Sequence, residues 1–586
     1  ERLRPLDPVA RDVARVVALA RRALDLDTLI PLFRAVGGDE AVVLDAVGVL
    51  VDADILVERR AGDVDQVELA HYRLSDLLIE ELGAEERCAW HRRLGELLER
   101  QHRHERYRVV DELAWHFEQA DLPPKAYAYL LEAARKHMSG SSYEEGLYHL
   151  ERAQRMEVGA RPLMLLDEAD RRLATLYLER TRALYHLGRW DRALESAVEA
   201  WSLAELVRDP ALSSQVAYER GHVLRSQARL DEAEEALQRA LDEAGEAGIP
   251  ALRLFPLYNL AALRWSQGNL EAAESLWSQA LSLAREQEDH AAEAQVYNGL
   301  GILGLCRGQS SEARRLWERS AELYDRLGMV EALAVTRSNL VELYKLTGDL
   351  GRALRLADRS VARAREVRHT LGIALGLSWR ARVLRVLGRY DEARRNADEA
   401  LRLANEIGAR DEQILGLRTM IEIQLAAGSG RFAVARAEHL LDLLRAGDSE
   451  GVLPQVRASY ARCLAARGDH AEAVRVLESA GVEEAFPHVQ VRAELESAVA
   501  WRELGRPERA RPHLDRLLAV TKLASFRLYE LAALQELARI SDRPEEVAAS
   551  RARGVDILRA VTSGLDRADR DSFERAFGAA GGPGIA

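Results

Sequence analysis

Apolar residues recur along most of this chain at i, i+3, i+4 and i+7, the spacing that gathers them on one helix face. "LFPLYNLAALRWSQ" (254–267) and "EAAESLWSQALSLA" (271–284) are two such stretches, separated by a few polar residues and a glycine. The pair predicts a helical hairpin, and the hairpin repeats. A turn glycine stands at Gly188, Gly268, Gly308, Gly348, Gly388, Gly428 and Gly468, with Ala228 in the one gap, at steps of 40 residues. Five residues after each comes an alanine: Ala193, Ala233, Ala273, Ala313, Ala353, Ala393, Ala433 and Ala473. A further copy at Gly505 keeps Ala510 after a shorter step of 37. Glycine there closes the first helix in a left-handed conformation. Acids such as Asp191, Asp231 and Asp391 are placed to cap the second helix. The alanine is required where the two helices cross closely. A fixed period of this length is the signature of a solenoid, whose stacked units extend one core.

The first 160 residues follow another pattern. Helices are predicted over 8–20, 26–37 and 39–55, then short alternating runs "ILVERR" (55–60) and "VELAHYRLS" (67–75) flanking "AGDVDQ" as a small hairpin. Helices follow at 75–83 and 84–101. Three helices and a two-stranded wing describe a winged-helix module.

Two resemblances rest on these residues. "YNLAALRWSQGNLEAAESLWSQALSLA" (258–284) resembles a tetratricopeptide repeat, with Ala261, Gly268, Ala273 and Ala280 on the repeat's small-residue positions. A 40-residue cycle, against the usual 34, implies the longer-helix variants found in bacterial sensor proteins. "GVLVDADILVERR…YRLSDLLIEELGAEERCAWHRRLGELLE" is similar to the winged-helix segment that follows the nucleotide-binding core of signal-transduction ATPases with numerous domains, the STAND class. "ELAWHFEQADLPPKAYAYLLEAARKHMSGSSYEEGLYHLERA" (112–153) continues that match, and "LDRADRDSFERAFG" (565–578) resembles a closing helix. That class often carries a histidine where this chain has Leu74. The expected fold is all-α: a winged-helix domain over 1–105, transition hairpins over 106–160, a right-handed tetratricopeptide-like superhelix over 161–545, and a capping tail over 546–586. About nine or ten hairpins are expected.

Composition narrows function more than fold. The formal charge of −13 disfavours general binding to nucleic acid or anionic membranes. The third helix of the winged module carries Asp39, Glu40, Asp45, Asp52 and Asp54 with no Arg or Lys, the wrong sign for a DNA-recognition helix. Lysine occurs only at Lys125, Lys136, Lys345 and Lys522; arginine supplies the remaining basic residues. Cys88, Cys306 and Cys463 are too dispersed for a disulfide framework or zinc site. No membrane helix or signal peptide is evident, so a cytoplasmic protein is expected. The chain opens on Glu1, which suggests a longer protein of which this is the C-terminal part.

No catalytic constellation assembles from these residues. No phosphate-cradling G-x-x-x-x-G-K-[ST] loop occurs in the sequence. "GLGILG" (299–304) matches G-x-G-x-x-G, but inside a helix, where close packing is the expected use. "QHRHER" (101–106) sets His102 and His104 two apart, unsuited to a helical metal pair. No enzyme, no metal and no cofactor are expected within the chain, with ATP reserved for an upstream domain.

The tetratricopeptide resemblance implies that the first helix of each repeat lines a concave groove. The family's groove positions fall on Arg182, Tyr185, Tyr218, His222, Arg225, Tyr258, Trp265, Asn298, Glu342, Lys345, Arg382, Arg385, Arg418, Glu422 and Arg462. The mixed aromatic and arginine lining from 182 to 265 suits a recognition hot spot. The arginine-dominated stretch from 382 to 462 suits an acidic ligand. The lysine–asparagine clamp by which some members hold a peptide carboxylate is missing at matching positions. The resemblances together imply a regulatory sensor: a protein, peptide or small inducer bound in the groove, and a winged helix relaying this to an upstream nucleotide-binding core. Two alternatives stand beside it. One is a passive interaction scaffold; the other is the regulatory part of a transcriptional activator or protein kinase.

Overall fold

The computed structural model describes residues 6–61, 64–71, 73–140, 142–160, 166–227, 229–445, 453–479 and 486–578. Apart from three short strands and a few single turns, every regular element among them is an α-helix. The chain divides into two compact units, residues 1–252 and 253–586.

Unit one opens with α1 (Pro8–Ala20), β1 (Leu24–Asp25), α2 (Leu26–Arg34), α3 (Glu40–Asp52), β2 (Leu56–Ala61), β3 (Val64–Leu69), α4 (Arg73–Glu80) and α5 (Ala84–Gln101). Asp7 caps α1, accepting from the amides of Val9 and Ala10 at 2.7 and 3.0 Å. The sheet is antiparallel in the order β1-β3-β2, with Leu24 opposite Val67 and Leu56 opposite Leu69. Val13, Val17, Leu29, Phe33, Val47, Leu50, Leu56, Val67, Leu78 and Trp90 form its core. Three expectations shift here. The second strand ends at Leu69 and not at residue 75, because Leu56 is the last partner β2 offers and the Ala70 amide instead bonds Ile55 O at 2.9 Å. Residues 73–75 therefore open α4. β1 was not foreseen, since two residues carry no periodicity. His102 lies just past the end of α5 and is not on a helix.

α6 (Val110–Gln119) follows, and then hairpins pair α7 (Pro123–Ser139) with α8 (Tyr143–Ala160), α9 (Leu166–His186) with α10 (Trp190–Val207) and α11 (Pro210–Ser226) with α12 (Leu230–Ala247). Unit two continues the alternation. Its helices are α13 (Leu254–Ser266), α14 (Leu270–Glu286), α15 (His290–Cys306), α16 (Ser310–Leu327), α17 (Val330–Thr347), α18 (Leu350–Glu366), α19 (Thr370–Val386), α20 (Tyr390–Glu406) and α21 (Arg410–Ala426). Then come α22 (Val434–Arg445), α23 (Leu453–Arg467), α24 (His470–Glu478), α25 (Pro487–Glu503), α26 (Pro507–Ala524), α27 (Arg527–Ile540), α28 (Pro544–Thr562) and α29 (Arg567–Gly578).

The anchor glycines and alanines do what their spacing requires, whereas Asp191, Asp231 and Asp391, expected to cap the second helix, lie inside its first turn behind Arg189, Arg229 and Arg389 and make no capping hydrogen bond. All the anchor glycines from Gly188 to Gly505 adopt positive φ; Ala228 lies outside the described residues. The nine alanines from Ala193 to Ala510 are buried at 0–1% exposure, each at a helix crossing with no room for a larger side chain. "GLGILG" falls inside α15, where a Cβ on Gly301 would meet the Trp317 ring at 2.5 Å. These glycines seat tryptophans.

A second series of left-handed turns separates the hairpins, at Arg208, Gly248, Glu288, Gly328, Arg368 and Gly408, again 40 residues apart. Non-glycine residues there bear a steric cost of about 1–2 kcal/mol, partly offset by the unfolded-state entropy that glycine would add. Glu288→Gly combined with Arg368→Gly is therefore expected to stabilise unit two by about 1 kcal/mol. A urea midpoint that fails to rise would refute that expectation.

Within unit two the array returns on itself. α27 packs against α17, and α25 against α15. Ser310 Oγ donates to Ala524 O at 2.7 Å, and Arg389 Nη1 to Asp569 Oδ1 at 2.8 Å. A Cβ on Gly388 would stand 2.6 Å from Ala576, so the turn glycine also admits α29. The first helices of successive hairpins thus surround an inner axis within this unit.

Candidate functional site

The groove positions separate into two sites of opposite character. In unit one, Arg182 and Tyr185 project from α9 and Tyr218 and His222 from α11. They meet around a cavity of about 490 Å³ that is also lined by Arg135, Met138, Tyr143, Glu179, His186 and Glu219. The His222 ring lies between two phenols, 4.3 Å from Tyr185 and 5.8 Å from Tyr218. Tyr143 stacks on His186 at 4.3 Å. Charge on this wall is balanced: Arg182 Nε donates to Glu219 Oε1 at 2.6 Å, and Arg135 Nε to Glu179 Oε1 at 2.8 Å. Burial raises the Glu219 carboxyl against the pull of Arg182. Burial, reinforced by Arg225 and His186, drops the His222 imidazole to about 3, so it is neutral at physiological pH. The site offers aromatic faces, phenolic hydroxyls and a neutral imidazole, with its formal charges already paired.

Glu179 and Glu219 had not been singled out from the sequence. They stand 40 residues apart, the same position in consecutive hairpins, and one turn from Arg182 and His222 respectively. Seeking an acid in register with each groove arginine would have found them.

In unit two the corresponding positions are closed. Trp265 Nε1 donates to Cys306 Sγ at 3.2 Å, and its ring stacks on Phe486 at 5.8 Å, which in turn faces His488. Tyr258 packs near Trp277, and Asn298 Oδ1 accepts from Asn339 Nδ2 at 2.9 Å. Lys345, Arg382, Arg385, Glu422 and Arg462 are each no more than 2% exposed. The sequence expectation was a groove open to an acidic ligand; the structure surrounds these cations with the protein's own Glu342, Glu422 and Glu496. Returning helices supply part of that cover, with Glu496 and Glu503 on α25 both reaching Arg462.

The tetratricopeptide-repeat family matches residues 214–245, 253–326, 333–368, 374–406 and 454–479. These stretches of the solenoid are tetratricopeptide repeats. Among solved structures, a Rap protein complexed with competence and sporulation factor aligns at 15% identity over 60% of this chain and 98% of its own, with a TM-score of 0.45. A STAND protein with a tetratricopeptide-repeat sensor from Pyrococcus horikoshii aligns at 13% identity over 71% of this chain and 66% of its own (TM-score 0.39). The apo quorum sensor NprR from B. thuringiensis aligns at 16% over 59% and 97% (TM-score 0.40). No curated protein sequence matches the chain.

Beside the N-terminal module, α6 faces α5. His91 and His116 bring their Nδ1 atoms within 2.9 Å in the buried interior. Arg22 pairs with Glu112 at 2.9 Å, and the Arg21 guanidinium lies 4.9 Å from the Trp115 ring centre. One hairpin on, Asp111, His137 and His149 converge within 4.8 Å. Such a trio is a candidate cation site, but its surroundings favour a hydrogen-bond network. Both Nε2 atoms approach Asp111 Oδ1, at 2.8 and 3.3 Å, while Lys136 occupies Oδ2 at 2.6 Å. His149 Nδ1 is buried with no acceptor, so the proton belongs on Nε2, where a metal would need a lone pair. The His149 hydrogen bond, with those of Lys136 and His137, outweighs burial and holds the Asp111 carboxyl well below the usual range.

No helix of the described residues is long and apolar enough to cross a membrane.

Proposed function

We propose that this chain is the ligand-recognising regulatory region of a signal-transduction ATPase. The unit-one cavity receives an aromatic-bearing peptide, protein segment or small molecule. The observation that carries this reading is the convergence of Arg182, Tyr185, Tyr218 and His222 on one charge-balanced, aromatic hollow. Rigid aromatics of this kind give large contact area at small entropic cost, the composition of recognition hot spots.

The N-terminal order α1-β1-α2-α3-β2-β3 supports a winged-helix module, and the acidic α3 supports a packing role over DNA contact. Its contacts with α6 through Trp115, His116 and Glu112 give a route by which the array and the module sense each other. The relay runs from there to a nucleotide-binding core elsewhere in the protein. Thermodynamically, the ligand drives it only by binding one arrangement of that assembly more tightly than the other. A passive scaffold would bind equally well in both.

The test is a peptide-library and metabolite-mixture screen of the purified chain by native mass spectrometry. Each hit is then titrated against Tyr185→Ala and Arg182→Met. Affinity is expected to fall about tenfold or more, the effect of losing one hot-spot contact, with circular dichroism unchanged. Hits whose affinity ignores both substitutions would reject the cavity as the binding site.

A further inference from the structure

A second cavity, of about 1000 Å³, lies in unit two where the array returns on itself. One wall is the start of α16 with the turn before α18; the other is the turn between α26 and α27 with the end of α28. Glycines let the walls meet. A Cβ on Gly348 would stand 2.7 Å from Val561 Cγ2, and one on Gly308 3.2 Å from Ala524 Cβ. The buried Leu343, Tyr344 and Val561 add apolar surface, and the Tyr344 hydroxyl is already engaged, donating to Glu318 Oε1 at 2.9 Å.

The acids of this cavity are held and two of its cations are not. Glu312 accepts from Nε and Nη2 of Arg315 at 3.0 and 2.5 Å. Asp349 caps α18 through the Arg352 amide at 3.2 Å, and its other oxygen lies 3.4 Å from Arg352 Nε. Arg314 on α16 and Arg527 on α27 line the same space, and neither pairs with a carboxylate among the described residues. The hydroxyls of Ser311 and Ser525 are likewise left to the cavity.

The repeat departs from its own pattern at this point. Three residues after the anchor stands an acid at Asp191, Asp231, Glu271 and Asp391, but Ser311 and Gly351 replace it in the two hairpins beside the cavity. Gly351 has a packing reason, since a Cβ there would meet Gly564 O at 2.5 Å. Ser311 is exposed and has none. An acid at 311 would sit one turn from Arg314, where i,i+3 ion pairs form. Its replacement leaves the guanidinium available.

We propose that this cavity binds a phosphate-bearing small molecule of nucleotide size, with Arg314 and Arg527 on its phosphoryl oxygens. A volume of about 1000 Å³ stands at the upper end of small-molecule sites and far exceeds a lone ion. Guanidinium forks match carboxylate and phosphate alike. The diverging oxygens of a phosphoryl group, however, can accept from arginines on two elements and from hydroxyls together. This inference is independent of the reading of the unit-one cavity.

Isothermal titration calorimetry of the whole chain tests it, with inorganic pyrophosphate, ATP in EDTA, fructose 1,6-bisphosphate and citrate as probes at equal ionic strength. At least one phosphate-bearing probe is expected to bind with a Kd below about 1 mM. Arg314→Ala with Arg527→Ala should weaken it about tenfold or more, the loss of charge-assisted contacts. Both side chains are exposed, so the fold should survive, which circular dichroism checks. Ser311→Asp, supplying the acid that other hairpins carry, should weaken binding with both arginines in place. No binding by any phosphate probe overturns the site, as does an affinity indifferent to these substitutions. Citrate bound as tightly as the phosphates overturns the phosphate class. Tyr185→Ala should change nothing; a loss there would place the probe in the unit-one cavity and overturn this site.

Discussion

Glu422→Gln is expected to destabilise unit two by about 3–5 kcal/mol, the cost of removing one partner from a buried ionic cluster. The change preserves volume, so packing is not the cause. It removes the carboxylate shared by Arg382, Arg385 and Arg418 and leaves cations that cannot deprotonate. Urea unfolding read through unit two measures it; a loss under about 1 kcal/mol would show that the cluster is not held by this carboxylate. Acid should imitate the substitution. Burial alone would raise the Glu422 carboxyl, but Arg382, Arg385 and Arg418 override burial and hold it at about 2, below its ordinary 4.5. A folded-state value below the unfolded one stabilises above the unfolded value. This contribution is therefore intact near neutrality and lost as pH falls from about 4.5 through about 2.

Acid is expected to weaken unit one earlier, through His91 and His116. Two neutral imidazoles share one hydrogen bond, Nδ1 to Nδ1, with one ring donating and the other accepting. Protonating the acceptor sets two N–H groups against each other. Burial, then Arg87 and Arg21, lowers His91 from 6.5 to about 4; burial, then His91 and Arg22, lowers His116 to about 3. The unfolded chain takes up these protons near pH 6.5 and the folded chain does not, so stability declines from pH 6.5 down to about 3. His91 alone accounts for about 3 kcal/mol across its part of that window. Unfolding free energy measured at pH 7 and pH 4.5 checks this. His91→Leu with His116→Leu should remove most of the difference, leaving the share of His222, which burial also depresses. An unchanged difference in the double variant would place the acid sensitivity elsewhere.

How far could such sites be read from residue order? The groove column 342, 382, 422, 462 alternates Glu, Arg, Glu, Arg at the 40-residue step, so the ingredients of the buried cluster were visible. Its enclosure was not. Whether an inner-wall arginine meets solvent or a carboxylate depends on how tightly successive hairpins curve, a sum of small rotations that no single repeat encodes. His91 and His116 are 25 residues apart on separate helices, with no spacing rule to join them.

Sequence alone settled the helical hairpin, its period, the left-handed closing turns and the small residue at each crossing. These are local demands, imposed on every repeat by backbone geometry and by the contact between one helix and the next. Tertiary structure decided which stretch of the groove stays hollow and which is filled. That choice is made by the returning helices α25 and α27, which pack on α15 and α17 from nearly 200 residues further along the chain. Burial there depends on the whole superhelical path, and burial is what separates a binding wall from a charged core.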